Sequence, residues 1–181
     1  SLRRIQEVLN QLEHKNKKDN RVRRPDWDKE LKYIKSGGGN LIPTSVVTDI
    51  YIESNKTGKK FAFELKAPLP NSDQTKVSKE KLFKLLCMTP HKVDNAFFAL
   101  PYNPYGKKED YSWKFPLRWF DMKKDKSVLI GEEFWEFIGG DGTYKKLVSI
   151  ISSMGSHYKD RIYKEFLGIE PPEDSSSGYL K

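Results

Sequence analysis

The sequence predicts a mixed α/β fold, in which a central mixed β-sheet is flanked by helices. Two strand-like runs, TDIYIES and KKFAFELK, enclose a polar turn and indicate a hairpin. A helix-like segment follows, and then come a buried strand-like run, NAFFAL, and a shorter one, SVLIG, before further helix-like segments. Strands that alternate with helices in this order build a sheet that helices cover.

The chain has 181 residues and a formal net charge of +8, with 33 lysines and arginines against 25 aspartates and glutamates. This length predicts one domain over residues 1–181, because it is enough to bury a core. The excess of positive charge favours nucleic acid or an anionic membrane surface as a partner. No apolar run reaches the roughly 18 residues that span a bilayer, so we expect no membrane partner. A chain with one cysteine fits a reducing cytoplasm, where we expect the protein to lie. Cys87, the single cysteine, excludes an intrachain disulfide and a cysteine-based metal site.

Before the hairpin, the sequence predicts two helices separated by a basic stretch. Apolar residues at helical spacing predict the first helix over residues 2–13. The stretch EHKNKKDNRVRRPD, residues 13–26, lacks such spacing and predicts a solvated basic loop or arm. DWDKELKYIK predicts a short helix that ends at the glycines of residues 37–39.

Acids and a lysine interrupt the strand-like character of the hairpin. Side chains alternate between the two faces of a strand, so one face is predicted to be apolar and the other to carry Asp49, Glu64 and Lys66. If Ile52 pairs with Phe61, Asp49 falls opposite Glu64. A register that differs by two residues places Asp49 opposite Lys66 instead, and the shared face is the same in both.

The hairpin turn is predicted at NKTG, residues 55–58, where Gly58 can adopt positive φ. The next helix is predicted to begin at Ser72 or Asp73 and to end before Pro90. NAFFAL predicts a strand that leaves the sheet at Pro101. The remaining predictions are a strand over residues 127–131, helices over 132–140 and 143–154, a helical extension over 158–168 and a flexible tail over 171–181.

The two acids of the hairpin predict a metal site. Carboxylates that face each other across strands repel, and burial adds the cost of lost hydration. A divalent cation between Asp49 and Glu64 removes both penalties, and their hard oxygen ligands suit Mg²⁺ or Mn²⁺. Lys66 then lies where it can orient a water molecule or stabilise developing charge. The alternative is that Lys66 forms salt bridges with both acids on a solvated face; the net positive charge and the apolar opposite face favour the metal site.

Asp49, followed on the next strand by Glu64-Leu65-Lys66, resembles the motif of the PD-(D/E)xK nucleases, with Thr48 in the place of the usual proline. Longer stretches resemble one group of that superfamily, the TdeIII-like type II restriction endonucleases. Those stretches are PTSVVTDIYIE, FELKAPLPNSDQTKVSKEKLFKL, ALPYNPYG and VLIGEEFWEFIGGDGTY. They cover the middle of the chain, and the N-terminal segment and the tail carry no such likeness.

The resemblance implies a restriction-endonuclease-like fold and a homodimeric enzyme that hydrolyses phosphodiester bonds in double-stranded DNA at a specific sequence. It implies Mg²⁺ as the cofactor, with Mn²⁺ as a substitute. Carried over to this chain, Asp49, Glu64 and the backbone carbonyl of Leu65 bind the metal, and Lys66 is the catalytic lysine. The chemistry agrees, because a bound metal lowers the pKa of its water and neutralises charge during hydrolysis.

Further candidates lie near the start of the helix that follows the hairpin. Gln74 is predicted to be catalytic through contact with the scissile phosphate or the attacking water; its alternative is an exposed helix-start residue. Lys76 and Lys79 are predicted to bind DNA, since helix starts favour phosphates, although solvated lysines are ordinary there. Glu30, in the helix before the hairpin, is a minor candidate for an additional metal ligand.

Two basic segments complete the predicted DNA contacts. The segment from Pro101 to Phe120 mixes cations with aromatic residues and is the leading candidate for reading base edges, with a loop packed over the core as its alternative. The cluster at residues 21–24 is predicted to contact phosphates. The predicted DNA-binding residues of these segments are Lys107, Lys108, Lys114, Arg118, Arg21, Arg23 and Arg24.

Two other functions are compatible with the same residues. A nuclease of the same superfamily for repair or recombination would prefer ends, junctions or damage, whereas a restriction endonuclease gives discrete bands from plasmid DNA. A non-catalytic module that binds nucleic acid has no need of paired acids beside phosphates, so Asp49 and Glu64 favour an enzyme. The sequence leaves the recognition site, the cut position and the dimer interface open.

Overall fold

The structure is a computed structural model that describes residues 1–18 and 20–170. The tail predicted over residues 171–181 lies outside the described residues. Two compact units divide the chain, Ser1–Phe134 and Trp135–Lys181. The β-sheet belongs to the first unit, while the single domain over residues 1–181 stays a prediction.

Helices and strands follow one another in the order that the sequence predicts, and the α/β class is confirmed. Short 3₁₀ turns at Lys108–Asp110 and Pro116–Arg118 lie in the long segment after the third strand. None of the helices formed by the described residues has the length and apolar character that crossing a bilayer demands. The main elements are α1 (Leu2–Glu13), α2 (Trp27–Lys35), β1 (Ile50–Glu53), β2 (Lys60–Leu65), α3 (Ser72–Leu86), β3 (Asn95–Leu100), β4 (Val128–Ile130), α4 (Glu132–Gly139) and α5 (Thr143–Arg161).

The sheet has the strand order β1-β2-β3-β4 and is mixed. β1 and β2 form the antiparallel hairpin, in which Ile52 pairs with Phe61, the first of the two registers considered from the sequence. Gly58 in the turn has a φ of +65°, which a residue with a side chain rarely adopts. β3 runs parallel to β2, and β4 runs parallel to β3. β2 is therefore an interior strand with a partner on each edge.

The side chains of β2 alternate between the faces as predicted, but the face that carries Glu64 is covered as well as the apolar face. Ala62, Phe63 and Glu64 are all buried, although their side chains alternate between the faces. The Phe63 ring stacks on Phe97 and meets Phe134 edge-on, which covers one face. Ala62 belongs to the main core on the other. Glu64 is thus a carboxylate in a covered sheet, an environment that requires partners.

α1 and α3 supply much of the core of the first unit. The apolar stripe of α1, Ile5, Val8, Leu9 and Leu12, is fully buried. α3 begins at Ser72 because the Asn71 side chain accepts a hydrogen bond from the Gln74 backbone N–H, while the Gln74 side chain accepts one from the Asn71 N–H. This capping box satisfies backbone donors that a helix start otherwise leaves unpaired.

In the second unit, α5 continues beyond the predicted residues 143–154 to Arg161, and a π-helical turn, Ile162–Phe166, follows it. The helical extension predicted over residues 158–168 is therefore largely confirmed. Every described residue of α5 keeps part of its surface exposed. Its exposed apolar residues are Ile150, Ile151, Met154 and Tyr158.

Candidate active site

The hairpin brings Asp49, Glu64 and Lys66 to one end of β1 and β2. Asp49 directly precedes β1, where its N–H and the Thr48 hydroxyl both donate to the carbonyl of Phe63, at 3.1 and 2.7 Å. Glu64 lies within β2. Lys66 follows β2, and its backbone N–H donates to the Ala99 carbonyl at 3.0 Å. The backbone of the sheet therefore fixes the positions of all three residues.

The Lys66 ammonium lies among three oxygens. Its Nζ is 2.8 Å from Glu64 Oε1 and 2.7 Å from the Leu65 carbonyl oxygen. Asp49 Oδ2 is 3.7 Å away and also accepts a hydrogen bond from the Leu65 N–H at 2.7 Å. These oxygens belong to the three residues that the sequence predicts as metal ligands.

The two carboxylates differ in exposure. Only 4% of the Glu64 side chain is accessible, against 43% for Asp49. Glu64 is thus held inside the sheet, while Asp49 lies at the surface where a substrate can approach. An inner fixed carboxylate beside an outer accessible one is a suitable arrangement for a site that a cation enters from solvent.

Lys81 is a member of the site that sequence reasoning missed. Its Nζ lies 2.9 Å from Glu64 Oε1 and 3.1 Å from Glu64 Oε2, so it contacts both carboxylate oxygens. α3 carries Lys76, Lys79, Lys81 and Lys84, and spacing alone does not reveal which of them meets the strand. The spacing gives one indication of the position of Lys81. It is three residues after Ser78 and four before Leu85, and both of these residues are buried, so Lys81 lies at the edge of the packed face of α3.

The donor set fits a hard divalent cation. Two carboxylates and a backbone carbonyl already converge on one ammonium, and oxygen donors of these kinds are the ligands that Mg²⁺ and Mn²⁺ prefer. Within residues 1–18 and 20–170, no group of three histidine, cysteine or carboxylate side chains forms a metal site. A cation here would therefore need the Leu65 carbonyl, waters or substrate oxygens beside the two acids.

The segment from Pro101 to Phe120 holds the loop that follows Lys66. The Tyr111 hydroxyl donates to the Pro68 carbonyl and the Trp113 indole N–H to the Pro70 carbonyl, each at 2.9 Å. The Trp119 indole N–H donates to the Ser72 hydroxyl at 3.0 Å. Burial also raises the pKa of the Tyr111 phenol. The aromatic residues thus favour the alternative of a packed loop, while base reading by this segment stays a prediction.

The residues predicted near the start of α3 have structural partners. Gln74 completes the capping box, and its side chain carbonyl is engaged there. The Lys76 ammonium bonds the Glu13 carboxylate at 2.5 Å and lies over the Trp119 ring. This hydrogen bond is the main reason that the pKa of Glu13 is lowered.

The prediction that Lys79 binds DNA is wrong, because the structure buries this side chain. Its side chain is fully buried, bonds the Trp119 carbonyl and lies 2.6 Å from the equally buried Glu30 carboxylate. The rings of Phe83 and Phe120 face the ammonium. Lys79 turns inward because α3 packs this side against α2, so it presents no charge to DNA. Glu30 is committed to this pair, which leaves it no place among the metal ligands.

Lys108 is the second predicted DNA contact that the structure engages within the protein. Its ammonium bonds the Val128 carbonyl at 2.6 Å and the Glu133 carboxylate at 2.8 Å, and only 11% of its side chain is exposed. It ties the long segment to the start of β4 and to α4, and is not available to a phosphate in this structure. Arg23 is half-buried and bonds Gln11 and Glu30. The predicted DNA-binding residues that are exposed are Arg21, Arg24, Lys107, Lys114 and Arg118.

Comparison with known proteins places the chain among restriction enzymes. The Type II restriction enzyme HgiCII of Herpetosiphon aurantiacus is 30% identical over 125 residues, which cover 67% of this chain and 45% of that protein. The Type II restriction enzyme MjaII of Methanocaldococcus jannaschii is 26% identical over 167 residues, 83% of this chain and 43% of that protein. The chain thus spans less than half the length of the curated relatives it matches. No solved structure matches significantly.

A family model described as "Type II restriction endonuclease, HinfI" matches residues 1–155. The wider class inferred from the resemblance is therefore confirmed, whereas the narrower TdeIII-like group stays a resemblance. The match contains the hairpin, α3 and the long segment that holds the loop after Lys66. The chain belongs to the HinfI family of type II restriction endonucleases.

Proposed function

We propose that this chain is the nuclease part of a type II restriction endonuclease that hydrolyses phosphodiester bonds in double-stranded DNA at a specific sequence. The observation that carries the proposal is the meeting of Asp49, Glu64 and the Leu65 carbonyl around the Lys66 ammonium, in a member of this family. The net charge of +8 supports a polyanionic substrate. The cytoplasm of a prokaryotic cell is the proposed location.

Asp49, Glu64 and the Leu65 carbonyl are the proposed ligands of Mg²⁺, for which Mn²⁺ can substitute. When bound, such an ion lowers the pKa of a water molecule and neutralises charge on the phosphate. Glu64 serves as the fixed ligand because the sheet encloses it, and Asp49 as the accessible one. The hydrogen bond from the Leu65 N–H to Asp49 keeps the outer carboxylate directed at the site.

Lys66 is the proposed catalytic lysine. Its ammonium already lies within hydrogen-bonding distance of oxygens that border the reacting position. From there it can orient the attacking water and stabilise the negative charge that develops on the phosphate oxygens. Gln74 is proposed to assist at the phosphate, although its side chain would have to leave the capping box to do so.

Exposed cations are the proposed contacts to the DNA backbone. Arg21 and Arg24 lie in the loop between α1 and α2, and Lys107, Lys114 and Arg118 lie in the long segment after β3. Each phosphate contact releases counterions, so we expect binding to weaken steeply as salt rises. Lys76 is proposed as a further contact because it lies near Arg118, which also acts on the Glu13 carboxylate.

The proposed test is plasmid cleavage in Mg²⁺ by the variants Asp49→Ala, Glu64→Ala and Lys66→Ala. We expect each to lose cleavage while remaining folded, because each removes a group from the site. Glu53→Ala and Lys59→Ala, which change exposed residues of the same hairpin, are the matched controls and should cut normally. Discrete bands from the parent protein identify a restriction enzyme. Near-parental cutting by either acid variant would refute the proposal.

A homodimer is proposed as the active form. One set of Asp49, Glu64 and Lys66 cuts one strand, so a double-strand break in one encounter needs a second set, and a two-fold dimer mirrors a symmetric target. The exposed apolar residues of α5, among them Ile151 and Met154, support an association surface. Sedimentation with and without target DNA tests the proposal. A monomer on DNA that still makes double-strand breaks would contradict it.

A further inference from the structure

Four charged side chains form one connected cluster in the candidate site. Lys66 contacts Asp49 and Glu64, and Lys81 contacts both oxygens of Glu64. Two carboxylates and two ammonium groups have formal charges that cancel. The cluster is therefore neutral before any metal ion enters, and Glu64 already has a cation on each oxygen.

The Lys81 contact differs from an ordinary surface salt bridge. The nearby pair between Lys84 and Glu80 joins residues four apart on α3, and both side chains are partly exposed. Lys81, by contrast, reaches 17 residues back to a glutamate that is almost fully buried in β2. Its own side chain is 32% exposed, so the cation lies at the opening of the site. An ion pair with a buried partner is screened much less than one between exposed partners.

We propose that Lys81 is an active-site residue that counterbalances the negative charge of Glu64, so that the DNA-free protein binds divalent cations weakly. This inference rests on the proposed function, since it takes Glu64 as a metal ligand. A cation that enters the cluster must compete with two ammonium groups and meets no net negative charge. A phosphodiester that enters the site adds negative charge and favours the cation. Lys81 thereby makes metal binding depend on DNA.

The test is the binding of Mn²⁺ to DNA-free protein, measured by calorimetry, for Lys81→Gln and its controls. We expect Lys81→Gln to tighten Mn²⁺ binding about tenfold, because it removes a unit charge beside a divalent ion at a partly buried site. Lys81→Arg keeps the charge and should bind Mn²⁺ like the parent. Lys84→Gln removes the same charge from the same helix, away from Glu64, and should also leave binding unchanged.

Glu64→Gln separates the failure of this inference from the failure of the proposed function. If Glu64→Gln leaves Mn²⁺ binding intact, Glu64 is not a ligand, and both the metal assignment and the inference fall. If Glu64→Gln abolishes binding while Lys81→Gln leaves it unchanged or weakens it, only the role of Lys81 is refuted. Equal tightening by Lys84→Gln would also refute it, because the effect would then belong to net charge.

Discussion

Two lysines that are two positions apart on α3 meet two different buried glutamates. Lys79 meets Glu30 of α2, and Lys81 meets Glu64 of β2. Both glutamates are buried, so burial alone does not distinguish a structural ion pair from a pair in a candidate active site. The two clusters differ in their exposure to solvent and in the other oxygen atoms beside the buried carboxylate.

The Lys79 cluster is closed. Its ammonium and the Glu30 carboxylate are both fully buried, and the rings of Trp27, Phe83 and Phe120 surround the ammonium. Burial lowers the pKa of Lys79, although Glu30 opposes that shift. The two charged groups are closed to solvent, and the cluster joins α2 to α3.

The Glu64 cluster is open on one side. Lys66 and Lys81 are 20% and 32% exposed, and Asp49 is 43% exposed. A second carboxylate and a backbone carbonyl lie beside Glu64, so oxygens remain for a ligand to share. An accessible second acid, more than the burial of the first, distinguishes the candidate site from the closed cluster.

The comparison predicts opposite phenotypes for the same substitution at the two glutamates. Glu64→Gln should lower the rate of DNA cleavage at least about a thousandfold, equivalent to about 4 kcal/mol in the barrier, because it removes a proposed metal ligand. Its two lysines can turn toward water, so the protein should stay folded. Glu30→Gln leaves the Lys79 ammonium buried without its counter-charge, which should cost about 3–5 kcal/mol of unfolding free energy.

Urea unfolding and plasmid cleavage, measured on both variants, check this prediction. The folded fraction of Glu30→Gln should cut DNA at the parental rate, since Glu30 contacts none of Asp49, Glu64, Lys66 or Lys81 among the described interactions. If Glu30→Gln abolished cleavage without loss of stability, the closed cluster would be functional. If Glu64→Gln unfolded the protein, the open cluster would be structural.

The hairpin could be predicted from the sequence because the features that determine it lie within one short stretch of the chain. The turn at NKTG, the alternation of side chains and the pairing of Ile52 with Phe61 depend on residues within one short stretch, and the structure confirms that register. The bounds of α1 and the start of α3 were also predictable, since apolar spacing and capping residues determine them. These elements place the three residues of the candidate site.

The lysines of α3 could not be assigned, because their environment depends on how the helix is rotated against the sheet and against α2. The sequence predicts that Lys79 binds DNA, but Lys79 is buried, and it assigns no role to Lys81, which contacts Glu64. The aromatic residues of the long segment were similarly ambiguous. Trp113 and Tyr111 donate to backbone carbonyls of the loop after Lys66, contacts that join parts of the chain 43 residues apart.

The smallest predicted effect concerns Asp125, which adds a second acid to the closed cluster. Burial raises its pKa to about 6, and the attraction of Lys79 only partly offsets this because Lys79 already bonds Glu30. The ordinary value for an aspartate is 3.8, so the folded protein binds the Asp125 proton more tightly than the unfolded chain does. Protonated Asp125 therefore stabilises the folded protein most below about pH 4, and this stabilisation is lost as pH rises through about 6.

Asp125→Asn should remove the loss of stability that accompanies ionisation of Asp125. Asparagine cannot ionise and still offers an oxygen to the Asp121 N–H, which donates to Asp125 at 2.9 Å. We expect the stability of the variant relative to the parent to rise by about 2 kcal/mol between pH 4 and pH 7, measured by urea unfolding at each pH. A relative stability that stays constant over this range would show that the pKa of Asp125 is the same in the folded protein as in the unfolded chain, and would contradict this prediction.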